Sequence, residues 1–436
     1  MAEILKKIID NLNDNNLEKA YELCNKSSDK KIEHIICNIR GVISFKRQKL
    51  ETAKSEFLKS IELNKNFIDA YKNLFKLNLK IQDFKFAVKN AEKVLELDIQ
   101  KTSKSYFNLA LAHDLDKDYK KAIKIYEVVE TLDFKEKKIL FNNMGKCFWG
   151  AENINEAKRY YLKALKLDQN DKLIVNNLLI IYLRTEDKDK IEQFYKKAEE
   201  IDKNYIEFKL NQSDYFLFKD ETEKAINLLK SIIVDSKNYV AYTKLARIYS
   251  MIDNYDNAVE TIEEAINIFP NKKDLKFTRG ILHLIKGEFE KGWEFYELRD
   301  SILKDLSFEK IKKWKGENLK DSRVLVTSEQ GMGDVIQFSR FLISLSPLCK
   351  EIDFITYDKL LPIFKNQFRN INISNKKKIL KKKYDFQISI GSLNKYFYKD
   401  KNSNSSDLIN FSVDKKKKWN FSQKDEKKKY WFGMVG

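Results

Sequence analysis

The chain has 436 residues, of which 43% are apolar and 34% charged, a composition typical of a soluble globular protein with two or three domains. It holds only 12 glycines and 3 prolines, too few for a collagen-like chain, for proline-rich disorder or for β-rich folds with many tight turns. No apolar run approaches the roughly 18 residues that cross a bilayer, and the first residues do not form a signal peptide. We therefore expect a mainly helical, cytoplasmic protein with no membrane span.

The net charge of +18 raises the question of nucleic-acid binding. Residues 376–436 hold 17 Lys against 6 Asp plus Glu, so this segment carries more than half of the excess. These lysines are not interleaved with arginines and aromatic residues, and no known nucleic-acid module accompanies them. We interpret them as a solvated surface and expect no nucleic-acid partner.

The four cysteines and three histidines do not form the pattern of a metal site. No two cysteines have the C-x-x-C spacing, which argues against zinc ligation and against a disulfide framework. His113 and His283 fall at one position of the repeat described next, where other units have Phe or Tyr. We interpret these histidines as packing residues and expect no metal.

A repeat of about 34 residues fills the first 300 residues. Its marker is a small residue, replaced once by isoleucine, and a mostly bulky residue stands four positions later on the same helical face. About twelve residues before most markers lies a second apolar series with a small or apolar residue at its centre, as at Gly41, Gly145 and Gly280. The markers are Ala20, Ala53, Ala87, Ala122, Ala157, Ile191, Ala225, Ala258 and Gly292.

Two helices per repeat cannot bury their apolar faces alone, so the units must stack into an α-solenoid. Short polar turns at residues 167–170 and 201–204 separate units, and their Asp and Asn residues can cap the following helix. The pattern resembles the tetratricopeptide repeat and predicts about nine units over residues 1–304, followed by a linker at 305–322. One unit matches almost throughout, at Tyr242, Leu245, Ala246, Tyr249, Ala258, Ala265 and Pro270.

The sixth position of five consecutive units is asparagine. A carboxamide offers two donors and an acceptor, so a row of them on the inner wall of a tetratricopeptide superhelix could hold the backbone of an extended polypeptide. The column is similar to the asparagine ladder of the O-linked N-acetylglucosamine transferases, which holds protein substrates. The alternative is that asparagine is common in this chain and aligns by accident. The column consists of Asn73, Asn108, Asn143, Asn177 and Asn211.

After Arg299 the period ends and an α/β pattern begins. Residues 323–327 predict a strand, followed by the glycine turn around Gly331 and Gly333 and by a helix over 335–345. Further strands are predicted at 352–357 and 384–390, with a helix near 359–368. We expect one parallel sheet with helices on both faces, and a ligand crevice beyond the carboxyl ends of the strands.

Three segments in this region occur in order and at short separations: Gly-Trp-Glu-Phe-Tyr-Glu-Leu-Arg at 292–299, Trp-Lys-Gly-Glu at 314–317, and Glu-Gln-Gly-Met-Gly-Asp at 329–334 with its continuation to 341. Together they resemble the bacterial tetratricopeptide glycosyltransferases whose catalytic half is similar to ADP-heptose lipopolysaccharide heptosyltransferases. The resemblance implies a GT-B enzyme with two Rossmann-like domains facing a cleft. The implied cleft-loop residues are Glu329, Gln330, Gly331, Gly333, Gln337, Arg340 and Ser392.

The resemblance also assigns roles within that cleft. Asp334 would be the general base that takes the proton from an acceptor hydroxyl, usually without a metal; the alternative is that Asp334 only caps its helix. Residues 391–394 resemble a Ser-Leu-Pro turn of the family, with Asn394 in place of proline. This departure leaves the assignment of these residues as the acceptor loop undecided.

The predicted architecture is an α-solenoid at 1–304 followed by one Rossmann-like domain, half of a GT-B enzyme, at 323–431. Residues 432–436 would begin a second Rossmann-like domain that carries the donor site. The sequence as it stands therefore predicts a fragment of a glycosyltransferase that binds no cofactor and transfers no sugar, with a nucleotide-sugar as partner only in a longer chain. The acceptor would be a polypeptide in the repeat groove. The alternative is a non-catalytic scaffold for protein–protein interaction.

Overall fold

The computed structural model describes residues 2–27, 29–301, 311–329, 331–364, 367–368, 370–375 and 383–398. The chain forms two compact units, Met1–Ala225 and Ile226–Gly436, so the repeats contribute to both. The predicted end of the repeats at residue 304, the strand at 432–436 and most of the lysine-rich segment lie outside the described residues.

Unit 1 is an α-solenoid. Helices that follow one another along the chain are neighbours in space, as the repeat predicts, with α3 packed on α4, α5 on α6, and α9 on α10. The helices are α1 Ala2–Asn13, α2 Leu17–Lys26, α3 Glu33–Lys46, α4 Leu50–Leu63, α5 Ile68–Lys80, α6 Phe84–Leu97, α7 Ser103–Leu115, α8 Tyr119–Thr131, α9 Lys137–Gly150, α10 Ile154–Leu167, α11 Lys172–Thr185, α12 Lys188–Asp202 and α13 Ile206–Phe218.

The marker residues lie where the two helices of a unit meet. Ala53, Ala157 and the exceptional Ile191 are all fully buried, at 0% exposure. The bulky residue four positions after a marker packs against the small centre of the first helix. A Cβ atom added to Gly145 on α9 would lie 2.7 Å from the ring of Tyr161 on α10, which is closer than real Cβ contacts allow. The small and bulky positions of the pattern are therefore complementary surfaces of one helix pair.

The turns inside each pair share one geometry. Lys117 has a left-handed φ of +63°, and the next residue, Asp118, accepts a hydrogen bond from the backbone N of Lys121 at 3.3 Å. The turn before Asn153 is built in the same way. Between units the Asp and Asn residues of the two predicted turns do not cap the next helix: α11 is capped by Asp171, one residue after the turn at 167–170, and α13 starts after Tyr205 with no side-chain cap.

Unit 2 continues the helix pairs and adds a sheet. One helix prediction is corrected there, because the helix expected over 335–345 is two short helices separated at Ser339 and Arg340. Of the helix expected near 359–368, residues 361–364 are helical, and residues 365–366 lie outside the described part of the chain. The helices are α14 Thr222–Ser236, which starts in unit 1, α15 Tyr239–Met251, α16 Tyr255–Ile268, α17 Lys273–Lys286, α18 Phe289–Tyr296, α19 Met332–Phe338, α20 Phe341–Leu345, α21 Leu361–Phe364 and α22 Leu393–Phe397. A 3₁₀ helix, Glu297–Ser301, follows α18.

The sheet is parallel, as predicted. Its strands are β1 Arg323–Thr327, β2 Glu351–Ile355, β3 Ile371–Ser374 and β4 Phe386–Ser389, in the order β3-β2-β1-β4. The strand at β3 was not predicted from the sequence. Val324 and Val326 face a core that includes residues of α19 and α20, while Leu325 packs in a smaller cluster with Ile355. A four-stranded parallel sheet is therefore established, which places the carboxyl ends of β1, β2 and β4 at one edge.

Candidate functional site

The candidate site begins at Glu329, two residues after β1. One carboxylate oxygen accepts a hydrogen bond from Nε of Arg299 at 2.7 Å. The other accepts from the backbone N of Gly391 at 3.2 Å and from the hydroxyl of Ser389. Glu329 thus ties the loop after β1 to the loop after β4 at the carboxyl-terminal edge of the sheet.

Arg299 is the cation of this cluster and is 2% exposed. Besides Glu329 it donates from one terminal nitrogen to Glu297 at 2.9 Å and from the other to the hydroxyl of Ser392 at 2.7 Å. Burial on its own would lower the pKa of Arg299, but the hydrogen bonds and charges of Glu329 and Glu297 raise it on balance. The guanidinium is therefore charged and holds the end of the last repeat helix to both loops of the sheet.

Gly391 is required by this arrangement. A Cβ atom there would lie 2.9 Å from both carboxylate oxygens of Glu329 and 3.1 Å from a terminal nitrogen of Arg299. Any side chain would displace the ion pair or the β4 loop.

Asp334 lies in the first turn of α19, close to this cluster. Gly331, not Asp334, occupies the N-cap position, and no side chain caps the helix, so the capping interpretation of Asp334 is wrong. Its side chain is exposed and makes no hydrogen bond or ion pair with the residues that the structure describes. Partial desolvation, with the nearby charge of Glu329, raises the pKa of Asp334. A carboxylate with a raised pKa and an open approach can accept a proton.

The remaining predicted cleft residues take different places. Gly331 has a φ of +98°, and a Cβ atom there would meet Asp334 Oδ2 at 2.8 Å, so only glycine fits. Gly333 faces open space, and Gln337 is exposed. The guanidinium carbon of Arg340 lies 4.9 Å from the ring centroid of Phe341, a residue of the hydrophobic core of the sheet. Gln330 lies outside the described residues.

The structure adds residues that sequence reasoning did not assign to the site. Arg299, Glu297 and Ser389 complete the ion-pair cluster. Arg299 is the last residue of the motif at 292–299. Trp314, from the second motif, packs 4.3 Å from the ring of Tyr396 and donates from its backbone to Gln387 at 2.9 Å, so it supports the sheet. An arginine preceding a sheet by more than twenty residues gave no signal of its own, because only the fold brings it to Glu329.

The asparagine column lies on first helices of consecutive pairs. Asn73 donates to Oδ1 of Asn38 at 2.9 Å, and Asn177 donates to Oδ1 of Asn142 at 3.4 Å. Asn143 donates to the hydroxyl of Tyr126 at 3.3 Å. The column therefore links neighbouring repeats through side-chain hydrogen bonds, a role that the sequence did not predict.

The last members of the column differ from each other. Asn211 donates to Oδ1 of Asn176 at 3.2 Å and is only 6% exposed, so it is a buried contact between helices. Asn108 is partly exposed and has no hydrogen bond to a described side chain or backbone group. Four members of the column thus remain partly accessible, and Asn211 does not.

The histidines pack as expected. His113 and His283 are 5% and 7% exposed, and His283 Nδ1 contacts Glu288 at 2.8 Å. Among the described helices, none is long and apolar enough to cross a membrane.

Comparison with known proteins identifies the repeat. The tetratricopeptide repeat pattern matches residues 103–135, 140–171, 174–205 and 239–272. The chain therefore contains tetratricopeptide repeats, which form its solenoid. Most of the matched length lies in unit 1, around the middle of the asparagine column.

Individual relatives are similar only in part. Protein FlbA of Caulobacter vibrioides is 29% identical over 106 residues, which cover 23% of this chain and 18% of FlbA, so the match spans less than a fifth of that relative. The apo form of the quorum sensor NprR from B. thuringiensis superposes with a TM-score of 0.50 at 16% identity, covering 62% of this chain and 84% of NprR. Pseudomonas aeruginosa PilF gives a TM-score of 0.40 at 16% identity, covering 49% and 97%. The likeness to NprR concerns the fold alone.

Proposed function

We propose that the repeats bind an extended polypeptide along the asparagine column. The observation that carries this proposal is the hydrogen bonding of column asparagines to asparagines of the preceding unit that lie beside the column. Asn73 and Asn177 each spend one N–H on an amide of the preceding unit. Their carbonyl oxygens and second N–H groups have no partner among the described residues.

This bonding fixes how the amides are presented. A carboxamide held by one hydrogen bond has lost part of its rotational freedom before a ligand arrives. The entropy lost when it orders on a bound peptide is therefore smaller. One N–H and one carbonyl oxygen also match the acceptor and donor of a peptide bond. The column therefore favours backbone recognition that is independent of the peptide side chains.

The test is the triple variant Asn108→Ala, Asn143→Ala, Asn177→Ala. We expect it to bind labelled unstructured peptides of unrelated sequence about tenfold or more weakly, since each lost hydrogen bond contributes about 1 kcal/mol. Fluorescence anisotropy measures the affinity, and thermal unfolding of the same samples measures stability. The matched control replaces Asn90, Asn170 and Asn227, which lie off the column, with alanine.

Two outcomes would contradict this proposal. Unchanged peptide affinity together with a lower Tm would show that the column serves only to join repeats. Equal weakening in the control variant would show that the loss of asparagines in general, rather than their position, matters.

A second candidate function is sugar transfer to the bound polypeptide, favoured by the free carboxylate of Asp334. The buried Arg299–Glu329 pair fixes the loop before α19, and Asp334 stands in that helix with no protein partner among the described residues. As an acceptor hydroxyl oxygen attacks the anomeric carbon of a nucleotide-sugar, the bond from that carbon to the phosphate oxygen breaks and the nucleotide leaves with the electron pair. The hydroxyl proton passes to a base, a role that suits the exposed carboxylate of Asp334. The scaffold function alone does not require an unpaired carboxylate there.

This candidate is tested on protein isolated from its native source, so that the result refers to the natural polypeptide. The protein is incubated with a panel of nucleotide-sugars and a peptide acceptor, and the peptide mass is measured. We expect Asp334→Asn to slow transfer about a hundredfold or more. Asp321→Asn, at an exposed carboxylate before β1 and thus at the opposite edge of the sheet, should leave transfer unchanged. No transfer by the native protein would leave the scaffold function alone.

A further inference from the structure

A groove lies between second helices of neighbouring pairs in unit 1, about 480 Å³ in volume. Its walls carry four cationic side chains, and two leucines form apolar surface between them. Five of these residues are on α10 and one is on α12. They are Arg159, Leu162, Lys163, Leu165, Lys166 and Lys197.

The four cations are not equally neutralised. Lys163 pairs with Glu130 at 2.7 Å, and Nε of Arg159 donates to Glu156 at 2.9 Å. Lys166 and Lys197 make no ion pair with any residue in the described part of the chain. No carboxylate lines the groove. The groove therefore presents an uncompensated positive charge that a carboxylate ligand would satisfy.

The leucines add an apolar requirement. Leu162 and Leu165 are partly buried and pack against the core of the solenoid, so each leaves part of its side chain toward the groove. A small inorganic anion would satisfy the lysines but leave this apolar surface in water. A ligand that matches both features has apolar side chains flanked by carboxylates.

We propose that this groove, defined by the six residues named above, binds an acidic polypeptide segment in which Leu-like side chains alternate with Asp or Glu. A second copy of this chain is a poor occupant, because two chains of net charge +18 repel each other. A nucleic acid is also a poor occupant, because no aromatic side chain lines the groove for base stacking. The groove is formed by second helices, whereas the asparagine column lies on first helices, so the two surfaces are separate.

The experiment uses the full chain and a labelled synthetic peptide in which Glu and Leu alternate. We expect the double variant Lys166→Glu, Lys197→Glu to bind this peptide about tenfold or more weakly than the wild type, because two attractive charge pairs become repulsive. The control Lys26→Glu, Lys59→Glu changes the net charge equally at exposed positions on α2 and α4 and should bind as the wild type does. Circular dichroism establishes that both variants keep their helical content.

Peptide variants and a competitor test the chemistry of the ligand. Replacing Glu by Gln, or Leu by Ser, should each weaken binding to the wild type. Equal affinity in both lysine variants would overturn the proposal, as would equal loss in both, which would indicate attraction to the net charge alone. Displacement by single-stranded oligonucleotide at lower concentration than by the peptide would also overturn it in favour of nucleic acid. The triple asparagine variant should keep this affinity, which separates the groove from the column.

Discussion

At the scale of single residues, Arg299 and Glu329 make the most consequential contact in unit 2. One further carboxylate, two serine hydroxyls and a glycine N–H converge on this pair. A buried charge without its partner costs far more than the pair contributes when complete. The cluster therefore holds the loops after β1 and β4 in one arrangement, which in turn sets the position of α19 and Asp334.

Replacing Arg299 with methionine should lower the free energy of unfolding by about 3 kcal/mol, because it leaves Glu329, whose side chain is only 12% exposed, and the partly exposed Glu297 without their cation. Chemical denaturation followed by circular dichroism measures the loss. Arg184→Met, at an exposed arginine stacked on Trp149, is the control and should cost far less. A small loss in Arg299→Met, similar to that of the control, would show that the ion pair adds no net stability.

Asp334 should make stability depend on pH in a defined direction. Partial desolvation and the charge of Glu329 raise its pKa in the folded state, so the ionised form is disfavoured by folding. The cost is fully present above the folded pKa, declines as the pH falls through that value, and is gone below the unfolded pKa, where the carboxyl is protonated in both states. Asp334→Asn should therefore raise the Tm at neutral pH, and the gain should vanish in acid. A gain that is constant with pH, or a lower Tm at pH 7, would contradict this.

At the scale of elements, helix ends explain how the repeat pairs turn. Asp118 follows a left-handed residue and caps α8 through the N–H of Lys121. Lys49 holds the same place before α4 but makes no side-chain cap bond. The two positions differ only in whether a side-chain oxygen reaches a free N–H of the first turn.

Asp118→Ala should therefore cost about 1 kcal/mol, partly through the lost cap and partly through the contact with Lys121 at 3.1 Å. Lys49→Ala should leave stability nearly unchanged. Thermal unfolding of both variants gives the comparison, and an equal effect would mean that backbone geometry rather than the side chain sets these turns.

At the scale of the whole molecule, stability should be distributed along the solenoid by neighbour contacts. In stacked repeats each unit contacts mainly the units on either side. Gly145→Ala places a methyl group against the ring of Tyr161, and overpacking of this kind costs about 1 to 3 kcal/mol.

Hydrogen exchange should locate that cost. We expect amides of α8 to α11 to exchange faster in Gly145→Ala, while α1 and α2 keep the protection of the wild type. Gly333→Ala, which meets open space, should change exchange little at any site. Uniform acceleration in all helices would show that unit 1 unfolds as one block.

The repeat could be predicted from the sequence, because its packing depends on residues that are close along the chain. Small and bulky residues recur about every 34 positions, and they determine how adjacent helices contact each other. The parallel sheet was also predictable in outline from apolar runs at β1, β2 and β4. The strand β3 and the division of the helix after Gly333 were not, because short polar segments take their structure from neighbours distant in sequence.

The candidate site divides in the same way. Gly331 and Asp334 could be named from one glycine turn, and Glu329 from the motif that carries the family resemblance, since these residues are contiguous in sequence. The tertiary structure alone decided three further points. Glu329 is bound by Arg299, Asp334 does not cap its helix, and column asparagines hydrogen-bond to asparagines of the preceding unit. The periodic sequence by itself determined the solenoid, because helical packing is set by near neighbours. Only the folded chain decided which charges meet, because ion pairs between distant residues depend on where the fold brings them.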